Sequence, residues 1–411
     1  MDVPLQYSDD RIVSSIFVGK GAFGTVYKAS VRDSGGLNGV AIYAIKRVSK
    51  LHDLDYLGAT GILNEVEVLK WLRQFNHPNI IRLHGCCVHN NSLLMYMDYV
   101  PLTLSETIHK GYLKKRHVRG FTISILRVLN FLHLRGIIHC DIKPQNILID
   151  VPNPVTMFSD ESVPIKEDCL KLIDFGLCTA QALPDKRDYV VTIWYRPPEL
   201  LCRNKEYTTT VDIWSACCTI LEMNLKAPMD RSTSSRAIMR GTCEFSQFQK
   251  ILDVVMPSYK DVMTETDAMK NKSGPCWEIN YGMQCYTGEA VNKSAARQRR
   301  QDRHDSFWKT YRSLSIDDYV TQLALSGLRF PAKERPTAEM LLQIMLFHNE
   351  QEKLWETPPP LFPSDTLYLL KSNKVREVPS DLLTVFTYSQ FHTDTLCRAL
   401  SQEAFSLEKG T

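Results

Sequence analysis

No apolar run in the 411-residue chain approaches the roughly 18–20 residues that span a bilayer. The longest candidate, Ile213 to Met223, has the length of a buried core helix. Met1 to Asp10 is polar and acidic and lacks the basic-then-apolar pattern of a secretory leader. Net charge is only +3, which disfavours a nucleic-acid binder driven by bulk charge. The twelve cysteines are scattered. The adjacent pairs Cys86-Cys87 and Cys217-Cys218 lack the spacing of a metal knuckle or disulfide framework, so reduced core thiols in a cytoplasmic or nuclear protein are expected. Internal repeats and a second set of catalytic motifs are also missing. What is there is an ordinary globular make-up, 44% hydrophobic and 23% charged, long enough for two lobes.

The stretch His139-Cys140-Asp141-Ile142-Lys143-Pro144-Gln145-Asn146 stands between two apolar runs, Ile137-Ile138 and Ile147-Leu148-Ile149. Apolar flanks of this kind anchor a polar loop against a core, so Asp141, Lys143 and Asn146 are expected to be held. A carboxylate accepts a hydroxyl proton, an ammonium balances phosphate charge, and an amide oxygen ligates a hard cation such as Mg2+.

Upstream, Ser14 to Arg32 alternates apolar residues around Gly19, Gly21 and Gly24, which reads as strand, turn, strand. Glycines let a backbone approach phosphate without a Cβ in the way. Dinucleotide-binding folds share the G-x-G-x-x-G pattern but place a helix directly after it. Here Thr25-Val26-Tyr27 continues as a strand, favouring a hairpin over phosphates. Val40 to Val48 is a further strand, and Lys46, beside Ala44, Ile45 and Val48, is aimed at something anionic. Ile62 to Phe75 has helical spacing and offers Glu65 and Glu67 as partners for Lys46. Leu93 to Val100 is a strand ending in Asp98-Tyr99-Val100-Pro101, a hinge where backbone groups can grip a purine edge. Val118 to Leu134 predicts an amphipathic helix stopped by Gly136. Val151 to Asp168, rich in proline, serine and acidic residues, reads as a surface insertion. Leu170 to Ile173 is a strand that delivers Asp174-Phe175-Gly176, whose carboxylate can swing onto a metal-bound phosphate. Arg335 is the expected buried partner of Glu199.

In this order the motifs resemble a eukaryotic protein kinase, from about Ile12 to Phe347. The resemblance rests on Gly19, Gly21, Gly24 and Val26; Ala44-Ile45-Lys46; Glu65, in a Val-x-x-Leu-Lys context; His139-x-Asp141-x-Lys143-x-x-Asn146; Asp174-Phe175-Gly176; Pro198-Glu199; Asp212; and Arg335. It implies an α+β bilobal fold, with a small β-rich N-lobe (12–100) holding one main helix and a larger, mainly helical C-lobe (101–348). Insertions fall at about 151–169 and 229–315, a segment 1–11 precedes the domain and an extension 349–411 follows it. It also implies ATP and Mg2+, met in a cleft between the lobes. Lys46 would hold the α- and β-phosphates and pair with Glu65, and Asn146 and Asp174 would ligate Mg2+. Asp141 would accept the proton of the attacking hydroxyl, with Lys143 near the γ-phosphate. Val26, Ala44 and Leu148 would sandwich adenine, with Met97 behind it and Asp98 and Val100 at the hinge. Lys143, two residues after Asp141, is similar to the serine/threonine pattern. Val190 to Glu199 resembles the cyclin-dependent kinases and their wider group, and the hinge resembles glycogen synthase kinase.

The departures from that group bear on regulation. Cys140, Asn64 and Thr179 stand where three phosphate-clamping arginines are usual, and Arg187 replaces the threonine that would carry the phosphate. Activity independent of a phosphothreonine on this loop is therefore expected, with Arg187 pairing with a nearby carboxylate. Tyr189 is a candidate modification site or a packing residue. Val190 and Val191 resemble the surface that accepts proline after the target residue. Ala59 to Asn64 resembles the cyclin-binding signature only faintly, and Gly61 weakens the helix start, so cyclin is disfavoured as the regulatory partner. Protein substrates are expected, and neither nucleic acid nor membrane. The basic residues Lys293, Arg297, Arg299, Arg300 and Arg303 are read as a solvated, mobile insertion rather than an import or docking patch. Thr357 to Pro360 is a stiff linker, and Thr393 to Leu407 a short amphipathic helix. A nucleotide-binding pseudokinase scaffold is the alternative function.

Overall fold

The computed structural model describes residues 11–21, 24–32, 39–49, 56–89, 91–151, 154–160, 165, 169–183, 186–187, 190–230, 232–258, 261–262 and 293–351. Tyr189, the proline-rich linker and the Thr393 to Leu407 helix lie outside them. The described residues form two compact units, one of 11–101 with Lys171–Cys178, the other of Leu102–Leu170 with 179–351.

The first unit is an antiparallel sheet of β1 (Ile12–Lys20), β2 (Thr25–Arg32), β3 (Val40–Ser49), β4 (Leu83–His89) and β5 (Ser92–Asp98), in the order β1-β2-β3-β5-β4, with one helix, α1 (Tyr56–Arg73). Side chains alternate across a strand. One face carries a core of Ile12, Tyr27, Ala29, Val31, Ile45, Leu94 and Tyr96. On the other, register sets Val26 opposite Lys46 and Ala44 opposite Met97. Directly opposed residues share a face, so these four project together. Helix α1 starts six residues before the expected Ile62 and runs through Gly61. Ala59 and Thr60 are buried, and this packing outweighs the roughly 1 kcal/mol that an interior glycine costs relative to alanine. The segment from Lys171 is pinned by Leu172 N–H donating to Asn79 O (2.8 Å), Ile81 N–H to Leu172 O (3.1 Å) and Lys171 Nζ to Pro78 O (2.7 Å).

In the second unit come β6 (Leu102–Thr103), α2 (Leu104–Lys110), α3 (Lys115–His133), β7 (Ile137–Ile138), β8 (Ile147–Ile149) and α4 (Pro154–Ser159). After β9 (Leu170–Leu172), which spans the unit boundary, follow β10 (Thr179–Ala180), α5 (Pro198–Leu201), α6 (Thr210–Met223), α7 (Glu244–Val255), α8 (Lys293–Leu314), α9 (Asp318–Gly327) and α10 (Ala338–Gln351). Thr103 begins α2 with a capping box: its hydroxyl accepts Glu106 N–H, and the Glu106 carboxylate accepts Thr103 N–H. Helix α3 buries Val118, Phe121, Ile125, Leu129 and Leu132 and is followed by Gly136 at φ 69. The two apolar flanks of the 139–146 loop are strands, β7 pairing with β10 and β8 with β6.

Within 151–169, Met157, Phe158 and Ile165 are buried, and Met157 O accepts Arg116 Nη2 (2.8 Å) and His117 Nε2 (3.2 Å) from α3. The basic run lies on α8, with Arg303 exposed. That helix is anchored by Trp308 Nε1 on Val254 O, Tyr311 OH on Leu221 O and Arg303 on Asp253, each at 2.9 Å. No helix among the described residues is long and apolar enough to cross a membrane.

Candidate functional site

In the first unit, Lys46 Nζ lies 2.5 Å from Glu65 Oε2. Burial works against the Lys46 ammonium, but the carboxylates of Glu65 and Asp174 outweigh it and hold its pKa above the usual lysine value. Glu67, the other candidate, pairs instead with Lys70 at 3.7 Å. Asp174 has left-handed backbone, φ 66. A Cβ on Gly176 would stand 3.2 Å from Gly61 O and 3.6 Å from Asp174 Oδ1, so glycine lets this turn approach α1 closely. Asn64 Nδ2 donates to Cys178 O at 3.2 Å and ties the same helix to the same segment.

The glycine turn closes through Gly21 N–H on Gly24 O at 2.8 Å. A Cβ on Gly24 would meet Arg47 O at 2.6 Å, whereas one on Gly19 would meet nothing within 4 Å and one on Gly21 only Gly24 O at 3.8 Å. Gly24 is thus required by the sheet, and Gly19 and Gly21 border open space. At the end of β5, Met97 and Val100 are buried. The Asp98 carboxylate accepts His84 Nε2 at 2.6 Å and Arg82 N–H at 3.4 Å, and Asp98 N–H donates to Arg82 O at 3.2 Å. Burial disfavours the charge of Asp98, yet the His84 hydrogen bond holds its pKa below the usual carboxylate value. The Asp98 side chain is thus engaged within the first unit.

In the second unit, Asp141 is buried and both its oxygens are engaged. Oδ2 accepts Lys143 Nζ (2.7 Å) and Asn146 Nδ2 (2.8 Å); Oδ1 accepts the Thr192 hydroxyl (2.8 Å) and Thr192 N–H (3.3 Å). Lys143 Nζ also donates to Thr192 Oγ1 at 2.8 Å. Burial opposes ionisation of Asp141, but Lys143, Thr192 and His139 together hold its pKa below the ordinary value. The loop is fixed from beneath by Asp212, whose Oδ2 accepts His139 N–H (2.8 Å) and His133 Nε2 (3.0 Å), and whose Oδ1 accepts Cys140 N–H (2.9 Å). Half-buried Leu148 lies opposite Thr103 on β8.

Cys140 is fully buried at φ 65. Burial and the Asp212 charge push its thiol pKa well above the usual value. Burial and Cys140 likewise raise that of the Tyr207 hydroxyl, while the charge of Arg187 bears on both in the opposite sense. Lys186, also buried, lies over the Tyr207 ring at 5.5 Å. Farther along, Val191 has φ 67, and its carbonyl accepts both Nε (3.0 Å) and Nη2 (2.7 Å) of Arg196.

Lys46, Glu65, Asp174, the three glycines, Val26, Ala44, Met97, Asp98 and Val100 thus belong to the first unit, and Asp141, Lys143, Asn146 and Leu148 to the second. Sequence reasoning gave no role to Thr192, to His139 as the acceptor of Asp141 N–H at 3.2 Å, or to Asp212 as the anchor of the loop. Position beside a motif was the only available signal.

The protein kinase domain family matches residues 13–347. Cyclin-dependent kinase 2 of Caenorhabditis elegans is 32% identical over 298 residues, covering 69% of this chain and 71% of that protein. Cyclin-dependent kinase 14 of Oryctolagus cuniculus is 28% identical over 347 residues, 82% of this chain and 62% of that protein. Cyclin-dependent kinase 1 of Encephalitozoon cuniculi is 33% identical over 219 residues, 51% and 66% respectively.

Proposed function

The chain belongs to the protein kinase domain family, in its cyclin-dependent-kinase-like branch, and on that premise we propose that it phosphorylates serine or threonine hydroxyls that precede proline, without needing a phosphothreonine on its own activation loop. Enzymes of this type use ATP and Mg2+, and the residues present fit both. Gly19 and Gly21 border space that a side chain would fill, and Lys46 remains cationic. Asn146 gives its Nδ2 to Asp141 O (2.9 Å) and Oδ2, which leaves Oδ1 as its ligating atom; Asp174 offers a carboxylate. These are the hard oxygen donors Mg2+ takes. When bound, the metal neutralises charge at the β- and γ-phosphates.

In this reading Lys46, oriented by Glu65, holds the α- and β-phosphates. Asp141 orients the acceptor hydroxyl and takes its proton. Its depressed pKa makes it a weak base, which suits a transfer in which the proton leaves late. Lys143 stands beside it as the cation for the transferring phosphoryl group.

The proline preference is carried by one observation, the doubly engaged carbonyl of Val191. A substrate backbone lying along 190–192 finds that acceptor already taken. An N–H after the target residue would be left unpaired, at about 1–3 kcal/mol if buried, whereas proline has no N–H to satisfy. Independence from loop phosphorylation is supported by the buried Cys140 thiol, which cannot grip a phosphate, and by the Asn64 amide spent on Cys178. Protein substrates follow from the family. A regulatory protein partner is part of the proposal, and the faint signature in Ala59 to Asn64 makes cyclin the less favoured one. The free thiols among the described residues support a cytoplasmic or nuclear location.

Phosphate transfer from ATP to a degenerate peptide library, with Asp141→Asn as control, tests the core of this. Serine–proline and threonine–proline products are expected from the wild type alone. Transfer no greater than in the control would leave the scaffold reading, and products without proline enrichment would remove the substrate preference. For the loop, Arg187→Thr treated with an activating kinase should show unchanged activity; strong stimulation would overturn that part.

A further inference from the structure

The chain ahead of Thr192 meets the 139–146 loop at a second place, through a lysine. Lys186 is only 5% exposed, which is rare for an ammonium. Its Nζ donates to Leu183 O at 2.7 Å and lies 5.5 Å from the centre of the Tyr207 ring, whose face attracts a cation. Tyr207 is itself buried, lies just before α6, and turns its hydroxyl to the Cys140 thiol. Helix α6 also supplies Asp212, whose Oδ1 accepts Cys140 N–H at 2.9 Å. Cys140 is thus held at its backbone by Asp212 and covered at its side chain by Tyr207, and Lys186 closes over the ring. These contacts bracket Asp141. Cys140 precedes it, and the segment that begins at Lys186 runs through buried Val190 and Val191 to Thr192, whose hydroxyl donates to Asp141 Oδ1 at 2.8 Å. A buried thiol behaves as a small apolar group: it offers a phosphate nothing to bind, but it gives an aromatic ring a surface to pack on.

We propose that Lys186 and Tyr207 form a lock between the activation loop and the catalytic loop that takes the place of loop phosphorylation. Both are positioning residues: they hold the segment that carries Thr192 and so act on Asp141 through it. The inference rests on the phosphorylation-independent reading above and names what does the holding. With Lys186 released from the ring, the segment no longer keeps the Thr192 hydroxyl on Asp141, and the carboxylate loses one of the groups that orient it. Asp212 still holds the backbone of the 139–146 loop, so the loss should be confined to the activation loop.

Two readouts on the full chain test this: the rate of tryptic cleavage after Arg187, followed by mass spectrometry, and steady-state kinetics on a serine–proline peptide. Lys186→Met keeps the aliphatic stem and removes the ammonium, Tyr207→Leu removes the ring, and Lys186→Arg keeps a cation for it. Lys186→Met and Tyr207→Leu should each quicken the cleavage and lower kcat by roughly ten- to thirtyfold, the scale of a desolvated cation–ring contact. KM for ATP should stay within twofold of wild type, and the urea midpoint of Lys186→Met should not move. Lys186→Arg should retain most of the wild-type behaviour in both readouts. A general weakening of the fold would shift the urea midpoint and KM for ATP as well, and would count against the lock. Lys186→Met within twofold of wild type in either readout overturns the inference, so the matter is decided even if Tyr207→Leu does not fold. Strong stimulation of Arg187→Thr by an activating kinase overturns the reading beneath it, and with it the claim that the lock replaces phosphate, even where cleavage quickens.

Discussion

At Asp141 the surroundings decide what the carboxylate can do. Burial alone would raise its pKa, and Lys143 is the largest influence holding it down. A depressed acid stays ionised until the pH falls through its lowered value. The acid limb that Asp141 contributes to kcat/KM of the wild type, which reports the free enzyme, should therefore lie below that of an ordinary aspartate. Lys143→Met should lower kcat and move the acid limb of the residual activity upward, because the neighbouring cation that holds the carboxyl's pKa down is gone. A pH–rate profile with an unmoved limb would remove Lys143 as the cause. Lys46 and Asp141 stood out in the sequence by residue type and surroundings, whereas Glu65, which pairs with Lys46, was separable from Glu67 only through the resemblance to kinases. Thr192 did not stand out: one threonine between Val191 and Ile193 gives no pattern, and only the fold brings its hydroxyl to Asp141. The engagement of the Asp98 side chain by His84 was equally hidden, since two strands must pair before the groups meet.

Helix α6 carries a buried acid that the chemistry does not use. Glu222 accepts Tyr195 OH at 2.7 Å. Burial pushes its pKa up to about 7, with Tyr195, His109, Arg236 and Arg240 pulling the other way. A raised carboxyl pKa means the fold favours the protonated form. The penalty is full above about pH 7 and is relieved as pH falls toward the unfolded value near 4.5. Glu222→Gln keeps an acceptor for Tyr195 and removes the charge. It should be the more stable protein at pH 8, by on the order of 3 kcal/mol at most, with the difference gone by about pH 4.5. Urea midpoints across that range measure it, and a constant offset would count against the titration. At this scale the strands and α3 were legible from periodicity. The early start of α1 was not, because buried Ala59 and Thr60 override a weak local signal. Nor was the docking of α4, since three apolar residues in a polar stretch carry no period.

Across the whole molecule the most distant expectation was the pairing of Glu199 with Arg335, 136 residues apart, and it is met by two hydrogen bonds of 2.6 and 2.7 Å. Both side chains are buried. Removing one partner strands the other charge, so Arg335→Met should cost about 3–5 kcal/mol. Combined Glu199→Leu and Arg335→Met should recover much of that in chemical denaturation; single changes costing under 1 kcal/mol would contradict it. The order of motifs made the architecture legible, but the helix that carries the basic run was not, because its first residues have no apolar face.

One feature of the first unit reaches beyond catalysis. Within a little over one turn, α1 is fastened three ways: Gly61 against Gly176, Asn64 on Cys178 and Glu65 on Lys46. An inhibitor that demands this helix swung outward must undo all three fastenings together. A compound shaped to the closed pairing meets the chain as it already stands, so selective ligands are better sought among the second kind.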